Sequence, residues 1–143
     1  MPYPTPMLST SSYIKGAGTA FVLFILGDAL WHDMLMGSFY MSRIDAINGG
    51  PAPATFPCFI ILFELIAALG STYLVLHLSK NIAEAAKNGA ILGLMMVSAI
   101  NLVNHTIILR WDLTLVVVDT AWGVVLGFLV GAATYYAAGM KRA

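Results

Sequence analysis

The sequence predicts an all-α fold, an integral membrane bundle of four helices, and three observations predict it. Apolar residues make up 59% of the 143 and charged residues 10%, with a mean hydropathy of +0.85, far from the mixed surface that a soluble domain needs. Four apolar stretches are each long enough to cross roughly 30 Å of hydrocarbon at about 1.5 Å per residue. Between them lie glycines, prolines and charges that interrupt a buried apolar helix.

The chain starts Met1-Pro2-Tyr3-Pro4-Thr5-Pro6, Pro-rich and uncharged, without the basic region that opens a secretory signal, so residues 1–13 read as an extended tail. The first span covers 14–36. Asn48-Gly49-Gly50-Pro51-Ala52-Pro53 cannot continue a helix, because its prolines lack the donor and its glycines favour turns. The second span covers 56–78. Ser79 to Asn88 carries Lys80, Glu84 and Lys87 on a short helical extension that leads to the third span, 89–109. Arg110-Trp111-Asp112 makes a tight hairpin into the fourth span, 113–138, and a basic tail over 139–143 follows. The stretch 14–138 is thus one four-span domain.

Seven basic and seven acidic residues balance, so bulk charge points to neither nucleic acid nor an anionic membrane surface as partner. The one cysteine, Cys58, has no partner for an intrachain disulfide. Lys15, Lys80, Lys87, Lys141 and Arg142 fall on one side of the bundle, against Arg43 and Arg110 on the other. The positive-inside rule therefore places both termini in the cytoplasm, in a membrane the sequence does not specify. Phe39, Tyr40, Phe56 and Trp111 near the outer ends, and Tyr135 and Tyr136 near the inner end, fit interfacial belts.

Polar and ionisable residues inside the spans gather at one depth, and the cytoplasmic halves hold no comparable group apart from His77 at the end of the second span. Asp28, Glu64, Asn101 and Asp119 each lie six to eight residues from the outer end of their span, roughly 9 to 12 Å in. His32, Asp33, Asn104 and His105 sit nearer the surface. A carboxylate at the bilayer centre costs roughly 2.5 to 3.5 kcal/mol on insertion scales, less towards the interface, so these acids are expected to face one another or water. Asp28 with His32, and Asn101 with His105, are four apart and share a helix face. On the same faces lie small residues: Gly123, Gly127 and Gly131 below Asp119, Gly89 and Gly93 below Asn101, Ala68 and Ser71 below Glu64. The expected bundle is tight at its cytoplasmic end and holds a polar pocket open at the other.

Each polar residue carries a sharp and a bland reading. Asp28 with His32 is either half of a metal or proton-relay site or an interhelical hydrogen bond. Asp28, His32, Glu64, His105 and Asp119 together contain the ligand types for iron, manganese or zinc, yet Glu-x-x-His and any repeated half-site are missing. His105 beside Asn104 and Thr106 is an axial ligand for a pigment or haem, or simply hydrogen-bonded. Asp119 beside Trp122 is a desolvated proton carrier, or a neutral acid or ion-pair partner of Arg110. Nothing basic lies near Glu64 in sequence. The glycines read first as helix packing, within the chain or against another subunit. Gly-x-Ser-x-Gly and His-x-x-x-His are absent, and Gly16-Ala17-Gly18 follows a tail instead of a strand, so hydrolase and nucleotide-binding motifs have no support.

Asn101-Leu102-Val103-Asn104, then Arg110-Trp111, then Val116-Val117-Val118-Asp119-Thr120-Ala121-Trp122-Gly123 resemble a family of predicted bacterial membrane proteins, the domain of unknown function 2177. Its pattern sets a tryptophan seven residues after an Asn and an Asp eight residues after that tryptophan, matched here by Asn104, Trp111 and Asp119. Gly27-Asp28-Ala29-Leu30-Trp31 and Phe39-Tyr40 match its first-span pattern in part. Asn101 stands where the family usually has Asp, His105 lies outside the pattern, and Gly27 replaces a leucine. The resemblance implies a four-span fold and a shared site that includes Asp28, Asn104, Asp119 and Trp122. It implies no activity.

Two functions follow as expectations. The first is an accessory or structural subunit of a larger membrane complex, meeting lipids and other subunits, or a second copy, through glycine seams. The second is a membrane enzyme, transporter or ligand-binding protein whose Asp/Glu/His pocket takes a lipid-like or small hydrophobic substrate, with a metal, pigment or lipid as the conceivable bound group. A cavity lined by Asp28, Glu64, Asn101 and Asp119 favours the second.

Overall fold

A computed structural model describes residues 8–50 and 57–140. The described chain is helical throughout: α1 (Thr10–Asp28) runs into a π-helical stretch (Ala29–Leu35), followed by α2 (Gly37–Asn48), α3 (Pro57–Leu78), α4 (Ile82–Ile107) and α5 (Leu113–Ala137). Four of these are long and apolar enough to cross a membrane, α1 counted with its extension to Leu35. The start of the tail at residues 1–7, the Pro51 to Pro53 part of the break, Phe56, Lys141 and Arg142 lie outside the described residues.

Helix starts are set by short polar caps. Ser9 accepts the Ser12 backbone N–H at 3.0 Å, so α1 begins at Thr10 and the expected tail is shorter than 1–13. Asn81 accepts from the Glu84 N–H at 2.9 Å while the Glu84 carboxylate returns to the Lys80 N–H at 2.8 Å. That reciprocal pair starts α4 at Ile82, which makes the predicted extension the first turns of the third span. Asp112 caps α5 through the Leu115 N–H at 2.8 Å, after Arg110 turns the chain with φ of 71°.

One helix was not expected. Residues 37–48, read as part of a connection, form α2, which presents Tyr40, Arg43, Ile44 and Ile47 inward and ends on Gly49 in a left-handed conformation, φ 74°. The pairs 40 and 44, and 43 and 47, carry the four-residue spacing of a helix face.

α4 and α5 form the most extensive helix pair, and glycine is the reason. A Cβ at Gly89 or Gly93 would overlap the carbonyl oxygen of Gly127 or Gly123, and one at Gly127 or Gly131 would overlap that of Gly89 or Ala85. All five predicted packing glycines thus join α4 to α5 within the chain. α1 packs on α3 and α5 so closely that a Cβ at Gly16 would stand 3.1 and 3.2 Å from the Thr72 and Thr134 methyls, and Tyr13 donates to the Leu69 carbonyl at 2.8 Å. Contact between α3 and α4 is sparse. The bundle is therefore not uniformly closed below the polar groups: the glycines pull α4 onto α5, α1 holds α3, and a gap remains between α3 and α4.

Outward faces such as Phe59, Ile66, Met95, Leu102 and Phe128 are exposed and apolar, as lipid contact requires. This is a membrane protein with four membrane-spanning helices.

Candidate functional site

Asp119 sits near the start of α5 and receives donors from three other elements. His32, on the π-helical stretch, approaches its Oδ1 through Nε2 at 3.1 Å. Tyr40 of α2 donates its hydroxyl to the same oxygen at 3.0 Å, and the Asn101 amide of α4 donates to Oδ2 at 2.6 Å. Both outer partners are themselves held: the Trp31 indole donates to the Tyr40 hydroxyl at 3.0 Å and the Trp111 indole to Asn101 Oδ1 at 3.1 Å. A continuous network thus runs from Trp31 through Tyr40, Asp119 and Asn101 to Trp111. Burial pushes the Tyr40 phenol above its ordinary value, and the Asp119 charge adds to this, so Tyr40 remains a donor.

The His32 ring joins two carboxylate residues. Its Nδ1 lies 3.1 Å from the Asp28 carbonyl oxygen and 3.6 Å from the Asp28 carboxylate. Since both ring nitrogens face acceptors, only the doubly protonated ring donates at both ends. The wide π-helical turn, closed by Met36 N–H to the Trp31 carbonyl at 2.8 Å, lies where Trp31 and His32 reach across to α2 and α5.

Asp28 is held from the other side. The Trp122 indole donates to its Oδ1 at 2.8 Å, while the Trp122 ring stacks on Trp31 with centroids 4.7 Å apart and planes 3° from parallel. Trp122 therefore serves Asp28 and not Asp119. Glu64 of α3 is 2% exposed and lines the same cavity as the Asp28 side chain. Its Oε2 has no partner among the described residues.

These groups close one end of a cavity of about 200 Å³ between α1, α3, α4 and α5. Asp28, His32, Glu64, Asn101, Asp119 and Trp122 line its polar end. The wall continues past Ala67, Leu92, Met96 and Leu126 to Val75, Gly89 and Thr134. From Asn101 to Gly89 along α4 this is roughly 18 Å, comparable to one leaflet of hydrocarbon. Phe63 and Ile100 line it and are also 41% and 47% exposed, so it reaches the apolar outside of the bundle between α3 and α4.

Six of the eight candidates thus come together, and two do not. Asn104 is half-buried off the cavity wall. His105 is exposed, with Nδ1 at 2.5 Å from the Trp111 carbonyl: α4 ends two residues later, and the returning backbone takes the imidazole. Among the described residues no three His, Cys, Asp or Glu are grouped to hold a metal ion. His32 has both nitrogens occupied, and His105 stands apart. Arg110 donates to the Ala46 carbonyl at 2.9 Å and makes no ion pair with Asp119. It is Arg43 that pairs with Asp112, at 3.0 Å, with its guanidinium 3.6 Å above the Phe39 ring.

Tyr40 and Trp111 were missed as site residues because their positions suit interfacial belts equally well, and Trp31 was read only as part of the first-span pattern. The signal available was Tyr40 on the inward face of a short helix. No curated protein and no solved structure matches the chain. The family model described as a predicted membrane protein, DUF2177, matches residues 13–136, and the chain belongs to that family.

Proposed function

We propose that this protein binds a single-chain amphiphile drawn from the bilayer, with its head at the Asp28, Glu64 and Asp119 end of the cavity and its hydrocarbon along α3 and α4. The observation that carries this reading is the cavity itself: carboxylate-lined at one end, mainly apolar along the rest of its length apart from Ser71 and Thr134, and reaching the lipid-facing side beside Phe63 and Ile100. Occupancy by hydrocarbon fills a space that the packing of α3 away from α4 leaves open. Glycine seams turned towards other chains were one support of the accessory-subunit reading. Gly89, Gly93, Gly123, Gly127 and Gly131 are occupied inside this chain, which removes that support.

The test is mass spectrometry of lipids that copurify with the full chain, compared with Ala67→Phe, which fills the cavity from α3. A stoichiometric single-chain amphiphile in the parent that is lost in the variant is the expected result. Equal, non-stoichiometric lipid in both overturns the reading.

We also infer that both termini face the cytoplasm, from Lys15, Lys80 and Lys87 at one end against Arg43 and Arg110 at the other. With Cys58→Ser as background, Asn48→Cys should react with a membrane-impermeant maleimide added outside intact cells. Labelling only after the cells are opened reverses the orientation.

A further inference from the structure

Resting on the amphiphile-binding reading, the site's chemistry goes on to specify the head group. We propose that Glu64 and Asp28 form a receptor for the protonated amine of a long-chain primary amine. Three features single out this pair within the polar end.

Asp119 has little left to offer a ligand. His32, Tyr40 and Asn101 already donate to it, covering both of its oxygens. Glu64 is the opposite case: it lines the cavity, is 2% exposed, and its Oε2 meets no donor among the described residues. A buried carboxylate oxygen without a donor carries the full desolvation penalty of that atom. Beside it stands Asp28, a second acceptor, whose donor is the Trp122 indole and whose neighbouring imidazole is shared with Asp119.

The charge balance points the same way. Three carboxyl groups line the polar end against one imidazole, and among the described residues no lysine or arginine lines the cavity. Acids within a membrane are offset by a cation or by protons. An ammonium group is compact and carries three donors, which suits an orphan Glu64 oxygen and an Asp28 carboxylate lining the same end of the cavity. An alcohol brings one donor and no charge, and a fatty acid brings another anion. The apolar remainder of the cavity takes the alkyl chain.

The test uses the full chain in a maltoside detergent and follows thermal unfolding by tryptophan emission as dodecylamine, dodecanol or dodecanoate is added at equal ratios to detergent. Dodecylamine should bind the parent at least tenfold more tightly than either of the others, and Glu64→Gln should weaken it at least tenfold while leaving dodecanol unchanged. Asp28→Asn is the second variant, keeping an acceptor for Trp122 while removing the charge, and it should weaken dodecylamine in the same way. Equal binding of amine and alcohol by the parent overturns the head-group assignment and leaves the cavity reading intact. So does amine binding unchanged in both variants, which would mean that a shared proton already satisfies the pair. Binding of none of the three overturns the cavity reading itself. Lysophosphatidylethanolamine forms a further arm: binding equal to dodecylamine makes a lipid head group the source of the ammonium, and weaker binding makes it a free amine.

Discussion

Trp122 donates its indole N–H to Asp28 across the α1–α5 interface at 2.8 Å, ninety-four residues apart in the chain. The bond fixes the rotation of α5 against α1 at the depth where Asp119 must meet His32. Hydrogen bonds between membrane helices contribute about 0.6 kcal/mol on average and up to about 1.7 kcal/mol. The Trp122→Phe and Asp28→Ala variants and their double should therefore show a coupling of about 1 kcal/mol in detergent unfolding, while Trp122→Ala costs a further ~1 kcal/mol through loss of the Trp31 stack. Strictly additive variants would remove this bond from the forces that hold the site.

Much of the site was legible because a helix converts sequence offset into depth. Asp28, Glu64, Asn101 and Asp119 stand at similar distances from their span ends, and those four side chains meet at one end of the cavity. Facing was harder to read. Asn101 and His105 are four apart, yet only Asn101 points into the cavity, because α4 ends at Ile107 and the Trp111 carbonyl captures His105. The partners of Asp119 could not be read either, since Tyr40 and Asn101 come from distant elements and their pairing leaves no local pattern. α2 looked like a connector because its inward face is short and its sequence carries Arg43 and Asp45. The gap between α3 and α4 depends on which helices pack together, which periodicity alone does not determine.

The glycine seam gives a prediction with an internal control. Gly93 faces the Gly123 carbonyl so closely that any Cβ forces α4 and α5 apart, and the obstacle is backbone and not a side chain that can turn away. Gly93→Ala should destabilise the protein by about 1–3 kcal/mol through overpacking. Gly70→Ala on α3 meets nothing within 4 Å and removes a residue that costs helices up to about 1 kcal/mol, so it should be neutral or stabilising. Unfolding in a denaturing detergent distinguishes them, and a Gly93→Ala protein as stable as Gly70→Ala would contradict the close approach of the two helices.

The α4–α5 hairpin should show a pH dependence of its own. The Leu115 backbone N–H holds the Asp112 carboxyl below its ordinary value of 3.8, and the Arg43 guanidinium adds to this. A carboxyl whose value is depressed in the fold contributes stability that is fully present above its ordinary value and is lost as the pH falls through the lower value. Asp112 is 44% exposed at its side chain, so solvent screens the Arg43 pair and the helix cap dominates. Asp112→Ala should therefore cost about 1 kcal/mol at pH 7, the usual magnitude for an N-cap, and close to nothing once the pH is below the folded value. Arg43→Gln should cost less than Asp112→Ala at pH 7. Thermal unfolding of the three proteins between pH 7 and pH 2.5 checks both claims; a pH-independent gap between the parent and Asp112→Ala would mean that the ionised carboxylate is not what starts α5.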